Sequence, residues 1–283
     1  MRIITEKILF DFKFYLQEEE KSQATVEKYM RDLKKLLKFM DGREVTKMRM
    51  IEYKAYLQGT GHYKMSSINS FLVAANCLFE YLEWFDLKVK TFKIQQEIFI
   101  PENRELTKEE YKRLVRMANR KGKKRIALIV QTICATGIRV SELPALTVGS
   151  VKRGTAVVYN KGKQRQILIP RALQVSLLRY IRENGLKSGV VFCSSSGKAL
   201  DRTYIWREMK SICAEANINR DKVFPHNLRH LFARSFYQMN KDIAKLADML
   251  GHSRIDTTRI YIKASSLEHR KELEALNLIV SIE

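Results

Sequence analysis

The stretch Pro225-His226-Asn227-Leu228-Arg229-His230, followed by Leu250-Gly251-His252-Ser253 and then Thr257-Thr258-Arg259-Ile260-Tyr261, gathers the reactive side chains of this sequence. Three of the five histidines fall between residues 226 and 252. On a helix over 226–239, His226, Arg229 and His230 stand at i, i+3 and i+4, so they leave from one face and can converge on a single anion. Taken alone, a His-Arg pair on a helix is more often a surface or capping feature than a site. Its weight comes from Thr136-Gly137-Ile138-Arg139-Val140-Ser141-Glu142-Leu143 upstream and from Tyr261, nine residues after His252.

Around these segments the element types are mixed. Thr155 to Asn160 and Arg165 to Ile169 are β-rich and flank Lys161-Gly162-Lys163, which reads as a hairpin with a basic tip. Helices are expected over 201–217, 226–239, 241–250 and about 266–277, with Gly251 as a C-terminal cap. Toward the N-terminus, Thr107 and Glu110 have the spacing of a capping box, which marks the start of a helix. Between Thr91 and Leu106 the periodicity fades, Pro101 interrupts and Glu102-Asn103-Arg104-Glu105 is charged, so a connector between domains is expected there.

Residues 5–86 read as four helices with short connections. Ile68, Phe71, Leu72, Ala75, Leu78, Phe79 and Leu82 form an apolar stripe at helical spacing, and Val26, Tyr29, Leu33, Leu36, Leu37 and Met40 repeat it. Lys28, Arg31, Lys34, Lys35 and Lys38 lie among the second set and predict a bundle with one basic face. The fold class is therefore mainly α with a small β-sheet (α+β), divided into residues 1–98 and 104–283.

A 283-residue chain with 45% hydrophobic residues supports two packed domains, which excludes disorder as the default. The 13-residue apolar run Ile126 to Ile138 is too short to span a bilayer, and no secretory signal is evident, so a cytoplasmic location is expected. The 52 basic and 31 acidic side chains give a formal charge of +21. Only +3 of it lies in residues 1–100, so the second part of the chain carries the field. Such a field favours polyanions and makes nucleic acid the first candidate partner, with a merely solvated basic surface as the alternative. Cys77, Cys134, Cys193 and Cys213 form no C-x-x-C pair and read as reduced thiols. Phosphate-binding loops, dinucleotide fingerprints and metal motifs are absent from the sequence, so no cofactor and no metal are expected. Arg120-Lys121-Gly122-Lys123-Lys124-Arg125 suits DNA phosphate contact or a solvated helix entry, and phosphate contact is the preferred reading.

With these residues in view, the sequence resembles the tyrosine recombinase family of phage-integrase and Xer type. The resemblance rests on T-G-x-R-x-S-E-L, H-x-L-R-H and L-G-H and on the order Arg139, Lys161, His226, Arg229, His252, Tyr261. It implies a helical, SAM-like core-binding domain at the N-terminus and a catalytic domain after it. It also implies cleavage of double-stranded DNA at paired half-sites by a homo-tetramer, or a hetero-tetramer with a related recombinase, associated with the nucleoid. Ser150 departs from the pattern, because many relatives carry an acidic residue at that place.

The resemblance assigns roles that meet the chemical needs of transesterification. Tyr261 is the expected nucleophile and His226 its proton acceptor, since a phenol with a pKa near 10 is protonated at neutral pH. Arg139 and Arg229 are expected to grip the non-bridging oxygens, because a guanidinium donates paired, charge-assisted hydrogen bonds. His252 is expected to add a donor, and Lys161 to protonate the leaving 5′-oxygen, with Lys163 as its rival. His230 and Glu142 are read as packing or orienting residues. Ser265 to Glu283, with Leu267, Leu273, Leu276 and Leu278, is a candidate interaction helix. The alternatives are a type IB topoisomerase-like relaxing enzyme and a DNA-binding architectural protein without catalysis.

Overall fold

The computed structural model describes residues 1–94, 105–160, 163–252, 254–261 and 274–275. The chain divides into two compact units, Met1–Gln96 and Glu97–Glu283.

The first unit holds the four expected helices: α1 (Glu6–Glu18), α2 (Gln23–Met40), α3 (Lys47–Gly59) and α4 (Met65–Tyr81). Thr5, Ser22 and Thr46 cap the first three by accepting a backbone N–H three residues ahead, which satisfies one of the orphan donors of each first turn. α2 packs against the other three and buries Val26, Leu33, Leu36 and Met40. Its cations divide in two. Arg31, Lys34 and Lys38 are exposed, whereas Lys28 pairs with the buried Asp32 at 2.7 Å and Lys35 donates to the Tyr63 hydroxyl at 2.7 Å.

The second unit is built around α6 (Lys124–Thr136), which packs against α5 (Lys108–Arg120), α8 (Arg171–Glu183), α9 (Arg202–Lys210) and α10 (Pro225–Asn240). Contact on so many sides explains the long apolar run, since a helix buried nearly all round has no polar face. The Thr107–Glu110 capping box is formed at the head of α5. Between α6 and α8 lie a 3₁₀ turn (Val140–Ala145), α7 (Val148–Arg153) and a two-stranded antiparallel sheet of β1 (Thr155–Asn160) and β2 (Lys163–Leu168). α11 (Ile243–Leu250) and α12 (Ile255–Arg259) follow α10.

Several boundaries differ from the sequence expectation. β2 begins at Lys163, paired with Asn160, so Lys163 belongs to the strand. The helix expected over 201–217 ends at Lys210 and continues as turns to Asn217, whose φ of 51° is left-handed. α7 and α8 were not anticipated. The helix expected over 266–277, like most of Ser265 to Glu283, lies outside the described residues. Among the described residues no helix is long and apolar enough to cross a membrane.

The basic run at 120–125 is tied into its own unit. Lys121 pairs with Glu215, Lys123 with Glu208 at 2.9 Å and Lys124 with Glu183 at 3.3 Å. Arg125 donates to the Cys193 carbonyl at 2.7 Å and to the Tyr204 hydroxyl at 3.1 Å. These side chains brace the α5–α6 turn against α8 and α9, while Arg120 is exposed. Ser150 also finds its explanation. As the third residue of α7 it donates and accepts across a reciprocal cap with Thr147, at 2.8 and 3.1 Å, the work an acidic side chain does at that position.

Candidate active site

Arg229 anchors the site. It is 1% exposed on α10, and its guanidinium donates to the Gly137 carbonyl and, at 2.7 Å, to the Leu250 carbonyl. Those carbonyls close α6 and α11, where unpaired acceptors and the negative helix ends gather, so the buried cation is balanced by two helix termini. Burial, and then Arg139, lower its pKa to about 10, which leaves it charged at neutral pH. Gly137 has a φ of +64°, and a Cβ there would lie 2.6 Å from the Phe232 ring. The tight, side-chain-free turn delivers Arg139 beside Arg229.

Arg139 is held by Glu142. The buried carboxylate accepts the Arg139 backbone N–H at 2.9 Å and its Nη1 at 3.0 Å, which leaves the guanidinium partly exposed. A cavity of about 690 Å³ opens over Arg139, His226 and Arg229, with Arg202, Thr203 and Trp206 of α9 on another wall. Two arginines and a histidine facing one cavity form a receptor for a phosphate-sized anion.

Tyr261 follows α12 and is 5% exposed, packed with Phe232, Ala233, Leu246 and Leu250. Three imidazoles surround its ring, with centroids at 4.3 Å for His230, 5.4 Å for His252 and 5.5 Å for His226. The Arg229 guanidinium carbon stands 6.0 Å from the ring centroid. Burial, followed by Arg229 and Arg139, pushes the His226 pKa below its ordinary value, so the imidazole is a neutral proton acceptor at pH 7. His230 is pushed down to about 3 by burial and then by His226.

His252 has its own geometry. Nε2 lies 3.1 Å from Arg229 Nη2 and Nδ1 lies 2.9 Å from the Thr258 hydroxyl. An arginine only donates, so Nε2 accepts and the proton resides on Nδ1. Burial, and then Arg229, lower its pKa to about 4, in keeping with a neutral ring. In this arrangement His252 contacts Arg229 at the edge of the site.

The structure thus brings together Arg139, His226, Arg229, His252 and Tyr261. Lys161 lies outside the described residues. Lys163 lines a second cavity of about 200 Å³ with Arg139, Glu142, Arg165, Asp248 and His252. Sequence reasoning overlooked Arg165, which donates to Glu142 at 2.6 Å. Its only signal was position, two residues past Lys163 in a strand. Among the described residues no group of three or more His, Cys, Asp or Glu stands together as a metal site.

A helical unit followed by an Arg-His-Arg-His-Tyr constellation defines a DNA breaking-and-rejoining enzyme of the tyrosine recombinase type. Residues 104–268 match the phage integrase family and residues 9–85 its N-terminal SAM-like domain, and the chain belongs to the phage integrase family. Tyrosine recombinase XerA of Pyrococcus furiosus is 30% identical, over 99% of this chain and 98% of that protein. Tyrosine recombinase XerD of Vibrio cholerae is 26% identical, over 89% of each. In fold, the chain is similar to the XerH site-specific recombinase bound to a palindromic difH substrate in a post-cleavage complex. That likeness has a TM-score of 0.74 at 20% identity and covers 89% of this chain and 80% of the other.

Proposed function

We propose that this chain performs site-specific recombination by attack of the Tyr261 phenolic oxygen on a scissile phosphate in duplex DNA. The phenol proton passes to His226 as the oxygen–phosphorus bond forms. The bond from phosphorus to the 5′-oxygen breaks, and Lys161 protonates that departing oxygen, which leaves as a 5′-hydroxyl. Arg139 and Arg229 neutralise the non-bridging oxygens of the phosphorane-like transition state, where charge builds up. The 3′-phosphotyrosine keeps the bond energy, so attack by another 5′-hydroxyl reverses the steps and joins new strands without ATP.

The observation that carries this reading is the setting of Tyr261, buried among three neutral imidazoles with the Arg229 guanidinium beside it. The boundaries 1–98 for a DNA-clamping core-binding domain and 104–283 for the catalytic domain belong to the same proposal. So does assembly on paired half-sites, as a homo-tetramer or with a related recombinase in a hetero-tetramer. Its support is a lambda integrase tetramer bound to a Holliday junction, which shares this fold with a TM-score of 0.71. A cytoplasmic, nucleoid-associated location belongs to the same proposal, because the proposed substrate is duplex DNA.

The test is Tyr261→Phe on nicked suicide substrates. DNA affinity stays near the parental value and the covalent protein–DNA adduct disappears. A persistent adduct from the Phe variant would refute the assignment.

A further inference from the structure

Arg165 touches two parts of the site that are far apart in sequence. It projects from β2, and its Nη2 donates to Glu142 Oε2 at 2.6 Å. The same carboxylate, 4% exposed, holds Arg139 through its backbone N–H and its guanidinium. One buried acid is thus shared by two arginines. On its other side the Arg165 stem crosses Gly251, where an added Cβ would lie 2.5 Å from Cδ and 2.8 Å from Nε of Arg165. The glycine that precedes His252 is therefore required by Arg165 as well as by its own φ of +66°. Nε and Nη1 of Arg165 are buried and have no hydrogen-bond partner among the described residues.

We propose that Arg165 is a positioning residue for strand cleavage, fixing the Arg139 guanidinium through their shared carboxylate, Glu142, and holding the Gly251–His252 turn against it. This deepens the reading of Arg139 as a ligand of the scissile phosphate and rests on it. A carboxylate with one guanidinium can rotate and take Arg139 with it, while two guanidinium groups and a backbone N–H leave it a single orientation. Displacing a phosphate-gripping group by roughly 1 Å costs about 100-fold in rate, so a tie of this kind acts on the chemical step with little effect on DNA binding.

The experiment measures single-turnover cleavage of a nicked suicide duplex, DNA affinity and melting temperature for Arg165→Met, Arg165→Lys, Glu142→Gln and the Arg165→Met/Glu142→Gln double variant. Arg165→Met is expected to bind DNA within about threefold of the parent and to cleave about 100-fold more slowly. Arg165→Lys recovers about tenfold of that loss, because one charged donor still reaches Glu142. The double variant is no slower than the slower single variant, since both break one tie. Replacing the 5′-bridging oxygen by sulfur, which relieves the leaving group of its need for an acid, does not restore Arg165→Met. The proposal is overturned by cleavage at the parental rate, by losses that multiply in the double variant, or by rescue with sulfur. Should Arg165→Met melt below the assay temperature, Arg165→Lys decides, and a parental rate from it overturns the proposal. Failure of the underlying reading is recognised separately, by Arg139→Ala cleaving the same duplex at the parental rate.

Discussion

The ring of His230 lies 4.3 Å from that of Tyr261, closer than the 5.5 Å separating Tyr261 from His226, one turn earlier on the same helix. The two histidines divide the surroundings of the tyrosine. His226 faces the cavity shared with Arg139, while His230 walls the ring from behind.

This division predicts different failures. His230→Ala opens a gap behind Tyr261, and stability falls by about 1–3 kcal/mol as packing is lost. Its cleavage slows modestly and keeps the parental pH profile. His226→Ala removes the proton acceptor and slows cleavage about 100-fold or more, with loss of the acidic limb of the profile. Chemical denaturation and single-turnover cleavage between pH 5 and 8 separate the two, and equal stability losses with equal pH profiles would contradict the division.

The same histidines set how stability responds to acid. His230 and His252 have folded pKa values of about 3 and about 4, both below the roughly 6.5 of an unfolded histidine. As pH falls from about 6.5 toward 4, the unfolded chain binds protons that the folded site refuses, so stability declines. Above about 6.5 both states are neutral and this contribution is constant. Melting temperatures should therefore be level from pH 8 to 7 and fall toward pH 5, with a shallower fall for His230→Phe. A slope unchanged by that substitution would show that His230 does not contribute.

The lysine that assists the leaving group is identified by its chemistry. A thiolate leaves readily, because thiols have pKa values near 8.5, against about 15.7 for water as a guide to an alcohol. Lys161→Ala should cleave a 5′-sulfur-bridged substrate almost as well as the parent, whereas Arg139→Ala gains little. Rescue of Lys163→Ala in place of Lys161→Ala would move the acid to the start of β2.

Gly137→Ala tests the turn behind Arg139. Both the left-handed φ and the 2.6 Å approach to Phe232 oppose a methyl group, so a loss of about 1–3 kcal/mol is expected from strain and overpacking. Urea denaturation measures it, and a loss below about 0.5 kcal/mol would mean that Phe232 yields freely.

The sequence disclosed more of the constellation than of its supports. Local signals located α1 to α4, the Thr107–Glu110 cap and the hairpin, because periodicity and capping are short-range properties. Arg139, His226, Arg229, His252 and Tyr261, which the structure brings together, were singled out by motifs that resemble those of the family. Hidden were the relations made only by folding. Arg165 reads as an ordinary strand cation until Glu142 is seen between it and Arg139. The run at 120–125 looked free because its acidic partners Glu183, Glu208 and Glu215 are distant in sequence. The contacts of His252 with Arg229 and Thr258 are likewise made only by folding, and no local pattern reports them.

The bonds of Arg229 to Gly137 and Leu250 reach beyond stability. A nascent or partly unravelled molecule in which α11 has not docked lacks one of the two carbonyls that aim this guanidinium, and His252 and Tyr261 lie downstream of the same helix. The aim of the Arg229 guanidinium therefore depends on α11 being docked, so assembly of the site is coupled to the last steps of folding.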